Sequence, residues 1–197
     1  MDFITGLDIR LFRLMNTAWT SQALDPVMAY ATEKLNFVGM MIVGAALVWI
    51  LGRRRDFRGL FILPAAVLVG ELMTTLFKFA LMRPRPCQAL EGVRLLVGCP
   101  SSYSLPSGHA TAAFAAMVFL SARHRRFWPL FIVFAAFVAY TRPYAGVHYP
   151  ADIAAGALLG TFIALAAIKA EERFFGGAAP DRGRDEKEDE DKEKYSE

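Results

Sequence analysis

The chain is 197 residues long, 55% hydrophobic and 21% charged, with a formal net charge of only +3. That length allows one domain with a core of its own, and with so small a net charge the basic balance says little about nucleic acid, so no nucleic-acid partner is expected. Much of the charge falls in residues 171–197 and in two short basic clusters, and the long charge-poor stretches between them point to an integral membrane protein rather than a soluble domain.

Residues 1–16 place Ile4, Leu7, Leu11 and Leu14 on one stripe, with Asp2, Asp8, Arg10 and Arg13 largely elsewhere. This spacing predicts an amphipathic helix along the membrane surface, the alternative being an ordinary packing helix. No cleavable signal sequence is expected, because residues 1–21 lack a basic region followed by an apolar run and a small-residue site. Residues 24–35 are too polar and too short to cross a bilayer alone. Spans are expected at 36–52, 59–82, 107–122, 127–140 and 151–170. Several are shorter than the roughly 20 residues a bilayer needs, so their ends must recruit flanking residues.

The expected fold is therefore all-α: a helical bundle of five to six transmembrane helices with N-terminal interfacial helices. Residues 1–35 would be interfacial, 36–175 the transmembrane core, and 176–197 a disordered, charged cytoplasmic tail. A sixth span, if there is one, would lie within 1–35. Arginines set the orientation. Clusters at 53–58 ("RRRDFR") and 123–126 ("RHRR") each join two spans and belong on the cytoplasmic side. The loops 83–106 and 141–150 then face outward. Cys87 and Cys99 share the first of these loops; an oxidising compartment would allow a disulfide, and two free thiols are the alternative. Two cysteines with no nearby histidine are a poor ligand set, so no metal is expected.

The outer ends of the spans carry the unusual residues. Lys78, Arg83 and Arg85 follow one another in "KFALMRPRP"; Ser107, Gly108 and His109 open the third span; Arg142, His148 and Asp152 lie in "TRPYAGVHYPAD". Ionisable groups this close to hydrocarbon are paired or functional. The cations Lys78, Arg85 and Arg142 suit an anion with several oxygens, of which phosphate is the obvious one. A helix start near Ser107 would add N–H groups and the positive end of the dipole, and Gly108 would let the backbone approach closely. His148 and Asp152 are four apart, so a helix that already included His148 would bring them together. The carboxylate would fix one ring nitrogen and leave the other as a nucleophile, while His109 could protonate a leaving oxygen. Singly, each residue has a plainer reading: an arginine as a snorkelling anchor (Arg83 above all), a serine as a helix cap. Those readings do not explain why three segments deliver such residues to one face.

Lys78-x6-Arg85-Pro86, "PSGH" at 106–109, and Arg142-x5-His148-x3-Asp152 together resemble the three signature motifs of the type 2 phosphatidic acid phosphatases. That family joins membrane lipid phosphatases to soluble acid phosphatases and vanadium haloperoxidases. The resemblance covers about residues 70–160, with Thr141 where serine often precedes the third-motif arginine. It implies a helical-bundle core and hydrolysis through a phosphohistidine, with no cofactor. His148 would be the nucleophile, Asp152 its partner, and His109 the acid and then the base. Lys78, Arg85, Ser107, Gly108 and Arg142 would hold the phosphoryl oxygens. The partner would be the bilayer and a phosphorylated or pyrophosphorylated lipid in it. Undecaprenyl pyrophosphate leads; phosphatidylglycerophosphate, phosphatidic acid and the 1-phosphate of lipid A are alternatives. The implied setting is a bacterial inner membrane with the site on its outer side. A lipid-phosphate-binding transporter and a haloperoxidase are the competing classes. Glu71, seven residues before Lys78, is expected either to shape a lipid groove or to make a structural interhelical hydrogen bond.

Overall fold

A computed structural model describes residues 3–33 and 58–176, with 37–39, 41–42 and 46 between them. Most of the first expected span, arginines 53–55 and the tail 177–197 lie outside the described residues. The chain divides into two compact units, Met1–Ala167 and Ile168–Glu197. The second is described only as the end of the last helix.

All regular structure among the described residues is helical: α1 (Phe3–Arg13), running into a five-residue π turn (Leu14–Ala18), α2 (Asp25–Thr32), α3 (Gly59–Leu81), α4 (Pro86–Ala89), α5 (Gly108–Arg123), α6 (Trp128–Tyr144) and α7 (Pro150–Phe175). Two segments, Gly59–Ala89 and Pro150–Phe175, are long and apolar enough to cross a membrane. Helices α5 and α6 have 16 and 17 residues. Both are shorter than the roughly 20 residues a span usually takes, so the described residues show an all-helical protein with two of the expected five to six spans.

Helix α5 is the axis of the bundle, packed between α3 and α6. It is rich in alanine, and Ala110, Ala112, Ala113, Ala115 and Ala116 are all buried. Small side chains let neighbouring backbones come close, which is how helices associate where lipid removes the hydrophobic drive. Gly156 and Gly160 of α7 carry this furthest. A Cβ at Gly156 would sit 2.6 Å from the Ser107 carbonyl oxygen, and one at Gly160 2.2 Å from that of Thr111. Gly160→Ala should therefore force α7 off α5 at a cost of about 1–3 kcal/mol, read as a lower Tm of the detergent-solubilised protein.

Many of the large apolar side chains face outward instead. Phe61 is 77% and Leu158 74% exposed, with Leu68, Leu72, Phe79, Leu130, Val133 and Phe162 also on the outside. A surface this apolar fits hydrocarbon, not water.

Helix α1 has two faces. Leu7, Leu11 and Leu14 are exposed, whereas Asp8, Phe12 and Asn16 are buried. The stripe that reads as membrane-facing is turned away from the protein, and the buried stripe includes two polar residues. The π turn aims the Asn16 amide at the carbonyls of Arg94 (2.8 Å), Pro143 (3.2 Å) and Tyr144 (3.0 Å), the kind of functional bend such turns often mark. Residues 3–32 thus seat directly on the loops that hold the polar cluster.

Candidate active site

Four helix ends meet at the cluster: the C-termini of α3 and α6 and the N-termini of α5 and α7. Helix α3 stops at Leu81 because Met82 turns left-handed (φ 46°), its N–H bonding the Lys78 carbonyl. Pro84 then keeps α3 from resuming, and Pro86 sits at the first position of the short α4. Arg83 and Arg85 each precede a proline and are steered to extended backbone, where residues two apart face the same way. Both reach the turn between α6 and α7. That turn is closed by Gly146 (φ 84°), where a Cβ would meet the Arg94 carbonyl oxygen at 2.5 Å.

His148 lies in this turn rather than in α7, which begins at Pro150. The helical i, i+4 geometry expected for His148 and Asp152 is therefore replaced by a folded-back carboxylate. Asp152 Oδ2 accepts the Tyr149 N–H at 2.8 Å and lies 3.4 Å from His148 Nδ1, with the Ser104 hydroxyl donating to the same oxygen. On the other side of the ring, Arg85 Nη1 is 2.9 Å from His148 Nε2. A guanidinium can only donate, so Nε2 is the unprotonated nitrogen and Nδ1 carries the hydrogen toward Asp152. This is the tautomer a nucleophilic Nε2 requires. Burial, with Arg142 and Arg85 adding to it, holds the imidazole pKa down to about 3 against the pull of Asp152. His148 is accordingly neutral at physiological pH.

Arg85 is fixed by the Ser102 carbonyl (2.6 Å), the Ser102 hydroxyl (2.9 Å) and the Val147 carbonyl (2.9 Å). Arg142 donates to both the carbonyl and the hydroxyl of Thr32, and its own carbonyl accepts the Val147 N–H at 3.1 Å. Lys78, near the end of α3, lies within electrostatic range of Arg85, Glu71, Arg142 and Asp152.

Ser107 precedes α5, but its hydroxyl makes no cap bond. Its N–H instead donates to the Asp152 carbonyl at 3.0 Å, tying the second motif to the third. Ser107 Oγ and Arg142 Nε are buried with no hydrogen-bond partner among the described residues. Two orphaned donors, one of them at a helix N-terminus, are what an oxyanion would satisfy. The first hydrogen bond of α5 runs from the Thr111 N–H to the Ser107 carbonyl, so the N–H groups before it have no intrahelical acceptor. His109 is half-buried in the first turn of α5, its ring centroid 4.7 Å from that of Phe37. Glu71 is exposed on α3, its carboxylate 3.3 Å from where a Gly108 Cβ would stand. Cys87 and Cys99 form a disulfide within the segment that joins α3 to α5.

Four further residues enter the cluster. Arg83 does not behave as a surface anchor: it pairs with Asp152 Oδ1 at 2.7 Å and with Asp8. Ser104 binds Asp152, and Thr32 binds Arg142. The alternating prolines of "RPRP" are the signal that could have singled out Arg83.

The PAP2 superfamily model matches residues 59–175, more than half of the chain. The chain belongs to the PAP2 superfamily. An undecaprenyl-diphosphatase of Sulfolobus acidocaldarius is 29% identical over 84% of this chain and 79% of its own length. A lipid A 4'-phosphatase of Porphyromonas gingivalis is 28% identical over 91% of this chain and 81% of its own. The solved transmembrane PAP2-type phosphatidylglycerolphosphate phosphatase of Bacillus subtilis superposes with a TM-score of 0.70 at 20% identity, over 89% of this chain and 90% of that one, which establishes the shared fold. As a PAP2 member with these relatives, the chain is a membrane lipid phosphatase, a phosphoric ester hydrolase.

Proposed function

We propose that this PAP2 phosphatase hydrolyses the terminal phosphate of undecaprenyl pyrophosphate, leaving undecaprenyl phosphate, at the outer face of a bacterial inner membrane. The reading of the chemistry rests above all on the His148 ring, held neutral with Nε2 as acceptor beside Arg85. Nε2 attacks the terminal phosphorus, and the bond to the bridging oxygen breaks. His109 supplies the proton to the departing oxygen. Lys78, Arg85 and Arg142, with Ser107 and the N–H groups at Gly108, carry the charge spread over the equatorial oxygens. Asp152 holds the Nδ1 proton and offsets the positive charge on the phosphorylated ring. A water molecule, deprotonated by His109, then attacks phosphorus and releases inorganic phosphate from Nε2. Glu71, exposed on α3 beside Gly108, lines the path by which the lipid head group enters.

The choice of lipid is supported by the Sulfolobus relative named for that substrate, and the outward site by the arginines at 123–126, at the far end of α5, about 22 Å along the helix from Gly108. The test is phosphate release from purified undecaprenyl pyrophosphate, phosphatidylglycerophosphate, phosphatidic acid and lipid A in micelles. The fastest turnover is expected on undecaprenyl pyrophosphate; a preference of tenfold or more for another lipid would reassign the substrate and leave the chemistry intact. Orthovanadate, a pentacoordinate mimic of the transferring phosphoryl group, should inhibit competitively on every lipid hydrolysed. Full activity at millimolar vanadate would contradict the proposed oxyanion cradle.

A further inference from the structure

Asp152 is loaded from both sides. Its Oδ2 takes the Ser104 hydroxyl, the Tyr149 N–H and the His148 ring, while Oδ1 takes Arg83 Nη1 at 2.7 Å. Arg83 is in turn gripped by Asp8, the buried carboxylate of α1. The remaining Asp8 oxygen accepts the Ala151 N–H at 2.8 Å, in the first turn of the helix that carries Asp152. The Arg83 guanidinium lies 4.1 Å above the Tyr149 ring, and Phe12 of α1 packs edge-on against the same ring at 5.6 Å. One forked side chain thus joins two carboxylates from distant parts of the chain, stacked on the residue next to His148. The opposite face of α1 and the π turn after it presents Leu7, Leu11 and Leu14 outward.

We propose that Asp8 and Arg83 are positioning residues of the phosphatase, forming a brace through which membrane-seated α1 fixes the Asp152 carboxylate and, through it, the His148 ring. This rests on His148 being the nucleophile. Neither brace residue touches the phosphate. With Arg83 held from the far side, Asp152 cannot rotate away from Nδ1. With Asp8 lost, the guanidinium is free to swing, and the carboxylate loses its fixed point. Misplacement of a nucleophile by a fraction of an ångström lowers the rate without altering the cations that bind substrate.

The experiment compares Asp8→Asn, Asp8→Glu, Arg83→Lys and the double variant Asp8→Asn/Arg83→Lys with wild type and His148→Ala. The substrate is whichever lipid of the panel wild type hydrolyses fastest. Asp8→Asn should lower kcat about tenfold or more with KM within twofold, and Asp8→Glu should recover most of the loss. Arg83→Lys keeps the charge but lacks the rigid planar fork that fixes two carboxylates at once, so its loss should match that of Asp8→Asn. The double variant should be no worse than the poorer single one, because both break the same link. If Asp8→Asn does not survive purification, Arg83→Lys carries the test alone. Wild-type kcat in both single variants, or losses that track only a lowered Tm and fraction folded, would overturn the brace. The nucleophile reading fails separately, if His148→Ala itself turns over lipid.

Discussion

His148→Ala should release phosphate at least about ten-thousand-fold more slowly than wild type, yet still bind its lipid. In the phosphohistidine mechanism this ring makes the bond to phosphorus, so nothing can replace it. The groups that bind the phosphate are held independently: Arg85 by Ser102 and Val147, Arg142 by Thr32. Substrate affinity, followed by equilibrium binding of a fluorescent lipid to the detergent-solubilised protein, should therefore change little. The alanine leaves a small cavity in a buried site and removes the acceptor for Arg85, so a modest drop in Tm is expected alongside. A residual rate above one per cent of wild type would mean that another group attacks phosphorus. Loss of lipid binding together with rate would mean that the ring is structural.

Arg85→Lys should be nearly as harmful as Arg85→Ala, each lowering kcat by about 100- to 1,000-fold. The argument is geometric. Arg85 spends Nε and Nη2 on Ser102 and shares Nη1 between the Val147 carbonyl and His148 Nε2. That planar fork sets the guanidinium against the nucleophilic nitrogen, where a phosphoryl oxygen must sit for attack. An ammonium has no fixed fork and cannot hold those partners together. The expected signature is a fall in kcat larger than the rise in KM, since charge on the phosphoryl oxygens is redistributed in the transition state. If the lysine variant kept kcat within threefold, only net charge would be required at this position, and the role given to the fork would be wrong.

Much of this site was legible because its residues are chemically out of place. Charged and imidazole groups at the ends of apolar helices are anomalous one by one, and the three motifs gave them an order. The mutual contacts of Arg85, His148, Asp152 and the Ser107 backbone follow from helix ends that the turn residues and prolines define. The pairing geometry of His148 was less legible. Spacing suggested a shared helix, but Pro150 starts α7 later and the Asp152 carboxylate folds back to reach the ring. Ser107 illustrates a different ambiguity: a serine before a helix normally caps it, and only coordinates show its hydroxyl buried and uncapped.

The role of α1 was not legible, for a physical reason. An amphipathic stripe states that two environments exist, not which one is protein. In water the apolar face turns inward. Beside a bilayer, lipid competes for it, and the polar face is left to dock. Asp8 thus reads as lying off the apolar stripe while it is in fact buried against the protein, as is Asn16. Arg83 was obscured in the same way, since an arginine at a helix end beside lipid is usually an anchor.

The most direct measurement is to quench the enzyme during turnover of lipid carrying a labelled terminal phosphate, then locate the label by peptide mass spectrometry under alkaline conditions, which preserve phosphohistidine. The mechanism predicts an acid-labile phosphate on His148, absent from His148→Ala and accumulating when His109 is replaced by alanine and hydrolysis stalls. Label on another residue, or phosphate release with no phosphoenzyme under conditions that trap a known phosphohistidine, would contradict it.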